Sequence, residues 1–165
     1  GLAALAIPAG TVHGLPFGVS LIGKAFTDST LAAIAKSVPA TARLAVVGAH
    51  LSGQPLNNEL VSRGAVLLQE TTTADTYKLF VLDTAPPKPG LVRDSSGAAI
   101  AAEVWELSMA GFGSFVAGLP GPMAIGRVEL ADGTWVPGFT CERHALSGAE
   151  DITSFGGWRA YLARD

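Results

Sequence analysis

Val46-Val47-Gly48-Ala49-His50-Leu51-Ser52-Gly53-Gln54-Pro55-Leu56-Asn57 is an apolar run that ends in a glycine turn and then opens onto a helix start. Just upstream, Leu44 to Gly48 is continuously apolar, the pattern of a buried central strand rather than of one with a wet face. Just downstream, Pro55 sits where a first helical turn tolerates a missing N–H, and Leu56, Leu60 and Val61 form a short apolar stripe with Asn57 and Asn58 in its first turn. A strand that passes through a glycine turn into a helix aims backbone N–H groups and the helix dipole at one point, which suits an anion. His50 stands at that point and adds a side chain that titrates near neutrality.

Outward from this turn, the C-terminal signals are mostly strands. Ala65 to Gln69 reads as one, and Tyr77 to Asp83 as another in which Tyr77, Leu79 and Val81 alternate with Lys78, Phe80 and Leu82. Pro86-Pro87-Lys88-Pro89-Gly90 reads as a stiff turn. Ile100 to Leu107 is a strand that places Glu103 and Trp105 on one face. Ser108 is the N-cap of a helix carrying Phe112, Phe115, Val116 and Leu119, which stops by Gly118 to Pro122. Ala124 to Leu130 and Thr134 to Glu142 flank Ala131-Asp132-Gly133 as a hairpin, with Pro137-Gly138 marking an edge or a bulge. A short helix around Trp158, Tyr161 and Leu162 ends the run.

Toward the N-terminus, the first residues read as loop, followed by a short strand over Phe17 to Gly23. A helix then begins at Asp28 or Ser29 as N-cap, carries Leu31, Ile34 and Ala35, and is closed by Val38-Pro39-Ala40. Many strands with a few interleaved helices and hairpin turns predict an α+β fold, a small, mostly antiparallel β-barrel with short flanking helices. The predicted boundary divides residues 1–40, a tail and linker, from residues 41–165, the main domain.

Composition narrows the function. With a net charge of -3 and only 11 Lys and Arg, scattered along the 165 residues, the chain lacks the clustered cations that phosphate backbones require, so no nucleic-acid partner is expected. No stretch approaches the roughly 20 uninterrupted apolar residues of a membrane span. Gly1 to Ile7 lacks the basic segment of a signal peptide. Cys141 is the one cysteine, so no internal disulfide and no thiolate zinc site is expected; it reads as a small buried strand residue in a reducing, cytoplasmic setting. No His-x-His or His/carboxylate spacing suggests a metal, and no cofactor is expected.

Two resemblances cover different parts of the chain. Pro8-Ala9-Gly10 and the run Gly14-Leu15-Pro16-Phe17-Gly18-Val19-Ser20-Leu21-Ile22-Gly23-Lys24-Ala25-Phe26 resemble the last strand and final helix of amidase-signature enzymes. The Ser–Ser–Lys triad of that family lies far upstream of such a tail, so no amidase activity is expected of this fragment. From about Leu44 to Leu162 the chain resembles the C-terminal domain of allophanate hydrolase. The match is carried by Gly48-Ala49-His50-Leu51-Ser52-Gly53 with Pro55-Leu56-Asn57, Lys88-Pro89-Gly90-Leu91-Val92-Arg93, Glu103-Val104-Trp105, Gly138-Phe139, Cys141-Glu142, Asp151-Ile152-Thr153 and Phe155-Gly156-Gly157-Trp158-Arg159-Ala160-Tyr161-Leu162.

The second resemblance implies a fold like the gamma-glutamyl cyclotransferases and a role in urea degradation: conversion of N-carboxycarbamate, the product of the parent amidase domain, to carbon dioxide and ammonia. It also implies a homodimeric parent enzyme. Cyclotransferases use a glutamate in the region that here reads Phe112-Gly113-Ser114-Phe115-Val116-Ala117-Gly118-Leu119, which contains no carboxylate, so the acid–base duty passes to His50. The expected substrate is a small dianion. Candidate groups to hold it are Gly48, Ala49, Leu51, Ser52 and Asn57 at the turn, with Arg93, Tyr77 and Glu103 from elsewhere. Glu103 has an alternative role, orienting or supporting the turn. Arg159 reads as a packing residue, and His13 and His144 as surface residues. The rival reading is a non-catalytic domain that dimerises or docks the amidase half.

Overall fold

A computed structural model describes residues 1–12, 15–37 and 40–164, and the chain divides into two compact units, Gly1–Ala40 and Thr41–Asp165. Val38 and Pro39, expected to close the first helix, lie outside the described residues, as does His13.

The first unit is a hairpin and a helix. Strands β1 (Leu2–Val12) and β2 (Leu15–Lys24) pair antiparallel, with a bulge between Pro8 and Gly10. Helix α1 (Asp28–Ser37) packs on them and buries Leu31. The expected loop at the N-terminus is therefore a strand: its alanine-rich apolar run carries no alternation, and only the partner strand reveals its pairing. The N-cap is Thr27, one residue before the predicted position, since its carbonyl accepts the Leu31 N–H at 3.0 Å.

The second unit is built around β3 (Thr41–Val46), whose Leu44, Ala45 and Val46 are fully buried, as the continuous apolar run predicts. It lies third in a five-stranded sheet of order β4-β7-β3-β9-β8, formed with β4 (Val66–Thr72), β7 (Ala101–Ser108), β8 (Met123–Glu129) and β9 (Trp135–Cys141). Every pairing in it is antiparallel except β3 with β9, which meet at one pair, Ala45 and Gly138. Glycine is needed at that crossing, because a Cβ on residue 138 would sit 3.0 Å from that of Ala45. Pro137-Gly138 thus belongs to an interior strand, not an edge; the contact with β3 is short enough to leave room beside it for a residue without an N–H.

A second sheet, of order β10-β5-β6, is formed by β5 (Tyr77–Leu82), β6 (Lys88–Arg93) and β10 (Glu150–Asp151). The Lys88-Pro89-Gly90 segment is strand, not turn. Proline is tolerated because β6 is an edge strand. Helices α2 (Asn58–Val61), α3 (Met109–Ala117) and α4 (Trp158–Leu162) complete the unit. Ser108 caps α3 as predicted, its hydroxyl accepting the Gly111 N–H at 3.1 Å.

The α+β class and the antiparallel bias match the sequence reading, but the sheets do not close into a barrel. The edge strands β4 and β8 meet at one corner only, where Thr73 bridges Leu130 and the Ala131 N–H reaches the Thr72 carbonyl at 3.0 Å. A strand count does not specify closure, which needs a continuous ladder around the ring.

Candidate active site

The turn after β3 is organised from below by a buried carboxylate. Glu103 of β7 is 1% exposed, and its Oε2 accepts the Ser52 N–H at 2.8 Å, the Ser52 hydroxyl at 3.1 Å and the Trp105 indole N–H at 3.0 Å. Its Oε1 accepts from Arg159 of α4 at 2.6 Å, and the same guanidinium donates to the Ser52 carbonyl, also at 2.6 Å. Burial pushes the Glu103 pKa up, but the bonds from Arg159, Ser52 and Trp105 outweigh it and hold the carboxyl below its ordinary range. The turn is also closed on itself: Asn57 donates from Nδ2 to the His50 carbonyl at 2.9 Å, and the Leu51 N–H reaches the Gly48 carbonyl at 2.9 Å.

This scaffold presents His50 to a cavity of about 370 Å³. The walls come from the turn (Val47, Gly48, Ala49, His50), from the segment around α2 (Leu56, Glu59, Arg63), from β6 and the residues before it (Pro86, Lys88, Pro89), from α3 and its C-terminal end (Phe115, Gly118, Leu119, Pro120), and from Met123 and Phe139. The imidazole is 9% exposed and clamped by two rings: it stacks on Phe139 at 4.9 Å between centroids and meets Phe115 edge-on at 5.1 Å. Nε2 lies 3.1 Å from Oε2 of Glu59. A carboxylate only accepts, so Nε2 carries the proton of the neutral ring and Nδ1 is left as the basic atom.

Burial is the largest influence on His50 and lowers its pKa below the ordinary histidine value; the Glu59 bond and charge oppose this, while Lys88 and Arg63 add to it. The ring is therefore neutral at pH 7, in a cavity with two cationic side chains and one carboxylate on its walls. Among the described residues no cluster of three or more His, Cys, Asp or Glu is arranged to hold a metal.

Of the sequence-predicted site residues, Gly48, Ala49 and His50 line the cavity, and the others do not. Leu51 points into the core, Ser52 and Glu103 serve the clamp beneath the turn, and Asn57 braces the His50 carbonyl. Tyr77 is buried with its hydroxyl accepting the Glu129 N–H at 2.9 Å. Arg93 pairs with Glu129 at 2.7 Å and lies over Trp135. Backbone donors are also fewer than the turn promises, since the Leu51 and Ser52 N–H groups are already engaged. Glu59, Arg63, Lys88, Phe115 and Phe139 were missed. The Glu59/Arg63 spacing of four across α2 is the one local signal that places two charges on one face of the expected helix. The α3 segment lines the cavity with Phe115 and supplies no carboxylate; Glu59 of α2 supplies it instead.

Elsewhere, Cys141 is buried in β9, which pushes its thiol up, and His144 pairs with Glu142 on the surface with its side chain 73% exposed. No helix among the described residues is long and apolar enough to cross a membrane.

Fold and cavity together define a strand-rich α+β domain with one clamped, buried histidine in a cavity of mixed charge. Residues 42–163 match the family model of the allophanate hydrolase C-terminal domain. Over 98% of its length the chain is 39% identical to the urea amidolyase of Saccharomyces cerevisiae, of which it spans 11%. It superposes on selenomethionine-substituted Kluyveromyces lactis allophanate hydrolase with a TM-score of 0.72 and 37% identity, covering 98% of this chain and 33% of that one. A separate 34-residue stretch is 62% identical to a glutamyl-tRNA(Gln) amidotransferase polypeptide of Lawsonia intracellularis, covering 21% of this chain and 7% of that protein. The chain belongs to the allophanate hydrolase C-terminal domain family, and it spans about a tenth of the curated urea amidolyase and a third of the solved hydrolase.

Proposed function

We propose that the Thr41–Asp165 unit breaks down N-carboxycarbamate to carbon dioxide and ammonia, with His50 moving the proton, after an amidase domain has produced that intermediate. Residues 1–40 are, in this reading, the end of that amidase domain, and the short match to a glutamyl-tRNA(Gln) amidotransferase supports it. The parent enzyme is a cytoplasmic homodimer.

The observation that carries the proposal is a neutral, immobilised imidazole in a cavity that also holds Lys88 and Arg63. N-Carboxycarbamate is a dianion with two carboxylates on one nitrogen. Cleavage of one C–N bond releases carbon dioxide and leaves the electron pair on nitrogen, which takes a proton to give carbamate; carbamate then takes a second proton and divides into ammonia and carbon dioxide. The barrier falls if a proton reaches nitrogen as the bond breaks. His50 on its own is neutral because burial disfavours its charge. A dianion beside it reverses that balance and draws a proton onto the ring. With Nε2 committed to Glu59, Nδ1 is the atom that takes and delivers it. Acid–base help of this kind is worth roughly 10²–10⁴-fold.

The test is carbon dioxide release from this chain supplied with intermediate by a competent amidase domain, wild type against His50→Ala. The expected result is a fall toward the spontaneous rate with fold and oligomeric state unchanged. Equal rates would remove His50 from the chemistry and leave a docking role for the domain.

A further inference from the structure

The cavity's two cations are held in different ways. Arg63 is tied down: Nη1 donates to the Glu59 carbonyl at 2.6 Å, Nε donates to the Ser114 hydroxyl at 3.1 Å, and the guanidinium lies 5.6 Å from the Phe115 centroid. Lys88 is half-buried on the same wall and has no hydrogen-bond or ion-pair partner among the described residues. A partly desolvated ammonium with nothing to receive is unfavourable, and an incoming anion relieves the cost.

The backbone explains why the charge is held there. Lys88 opens β6 between Pro87 and Pro89, so the chain on either side has little freedom. Pro89 packs on Gly48, close enough that any Cβ at residue 48 would lie 2.6 Å from the proline Cδ. The absent side chain of Gly48 brings β6 against the His50 turn, and Lys88 comes with it.

We propose that Lys88 is a specificity determinant: its ammonium receives the second carboxylate of a dianion whose first lies against His50, so that the cavity selects small dicarboxylates carried on one atom over monocarboxylates. This rests on the reading of the cavity as the N-carboxycarbamate site, and it names the group that counts the substrate's charges.

The probes are malonate, whose two carboxylates flank one carbon, and acetate, which has one. Calorimetric titration of the whole chain is compared for wild type, K88M and K88R. A hydrogen bond to a charged group corresponds to about 10- to 150-fold in affinity. Wild type is expected to prefer malonate by at least about tenfold, K88M to lose that preference with acetate affinity little changed, and K88R to keep most of it. A preference unchanged in K88M overturns the role of Lys88 while leaving the cavity reading in place. A wild-type chain that binds no malonate overturns both. If K88M does not fold, judged by tryptophan fluorescence, the same ratio is read in K88Q.

Discussion

Replacing Glu103 by glutamine keeps the shape of the buried group beneath the turn and removes its charge, which isolates what the clamp does. The carboxylate accepts four bonds, from the Ser52 N–H, the Ser52 hydroxyl, the Trp105 indole and Arg159. An amide oxygen can keep the donors on one side, but its NH₂ then faces the guanidinium of Arg159, donor against donor. Breaking a buried ion pair costs about 3–5 kcal/mol when the remaining charge is trapped. Here the Arg159 side chain is 43% exposed and can return to water, so the lower end, about 3 kcal/mol, is the better figure. All three tryptophans lie in Thr41–Asp165, so urea unfolding followed by tryptophan fluorescence reads this unit alone. The expected result is a lower midpoint at unchanged slope, with a melting temperature reduced on the order of 10 °C. The pH dependence has a definite sign. Because the folded pKa of Glu103 lies below its ordinary 4.5, the stabilisation is complete above that value and is lost as pH falls through the depressed one; E103Q lacks this acid-side loss. A midpoint change worth less than about 1 kcal/mol would show that the clamp does not hold the turn and refute the reasoning.

Gly48→Ala drives a Cβ into the ring of Pro89 and should cost about 1–3 kcal/mol, with weaker malonate binding because β6 is displaced; wild-type stability and affinity in this variant would dismiss the packing argument. Burial holds the His50 pKa below 6.5, so the unfolded chain takes up that proton first and stability falls as pH drops below about 6.5. His50→Gln should flatten the stability curve between pH 7 and 5, and an unchanged slope there would place the titration elsewhere. Saturating malonate should move the His50 proton resonances toward a higher apparent pKa, and no movement on binding would argue against a dianion beside the ring.

Much of the fold was legible because its signals are local. The apolar run of β3, the serine cap of α3 and the Asp132-Gly133 hairpin each declare themselves within a few residues. β1 did not, since its apolar run becomes a strand only by pairing with β2. The choice of Arg93 as the anion's partner shows the same limit at the site. Lys88 and Arg93 lie on one strand, but an odd number of residues apart, and alternation sends them to opposite faces. Only the packing of Pro89 on Gly48 decides which face meets the histidine.

By itself, then, the chain's order of residues determined the α+β class, the turn that carries His50, and the family, because periodicity, caps and motif matches are properties of neighbouring positions. The tertiary structure decided that the sheets stay open, that Glu103 braces the turn instead of facing ligand, and that Glu59, Arg63 and Lys88 gather around one imidazole. Those outcomes depend on register and on which strands and helices approach one another, and such distances are set by packing between segments far apart in the chain.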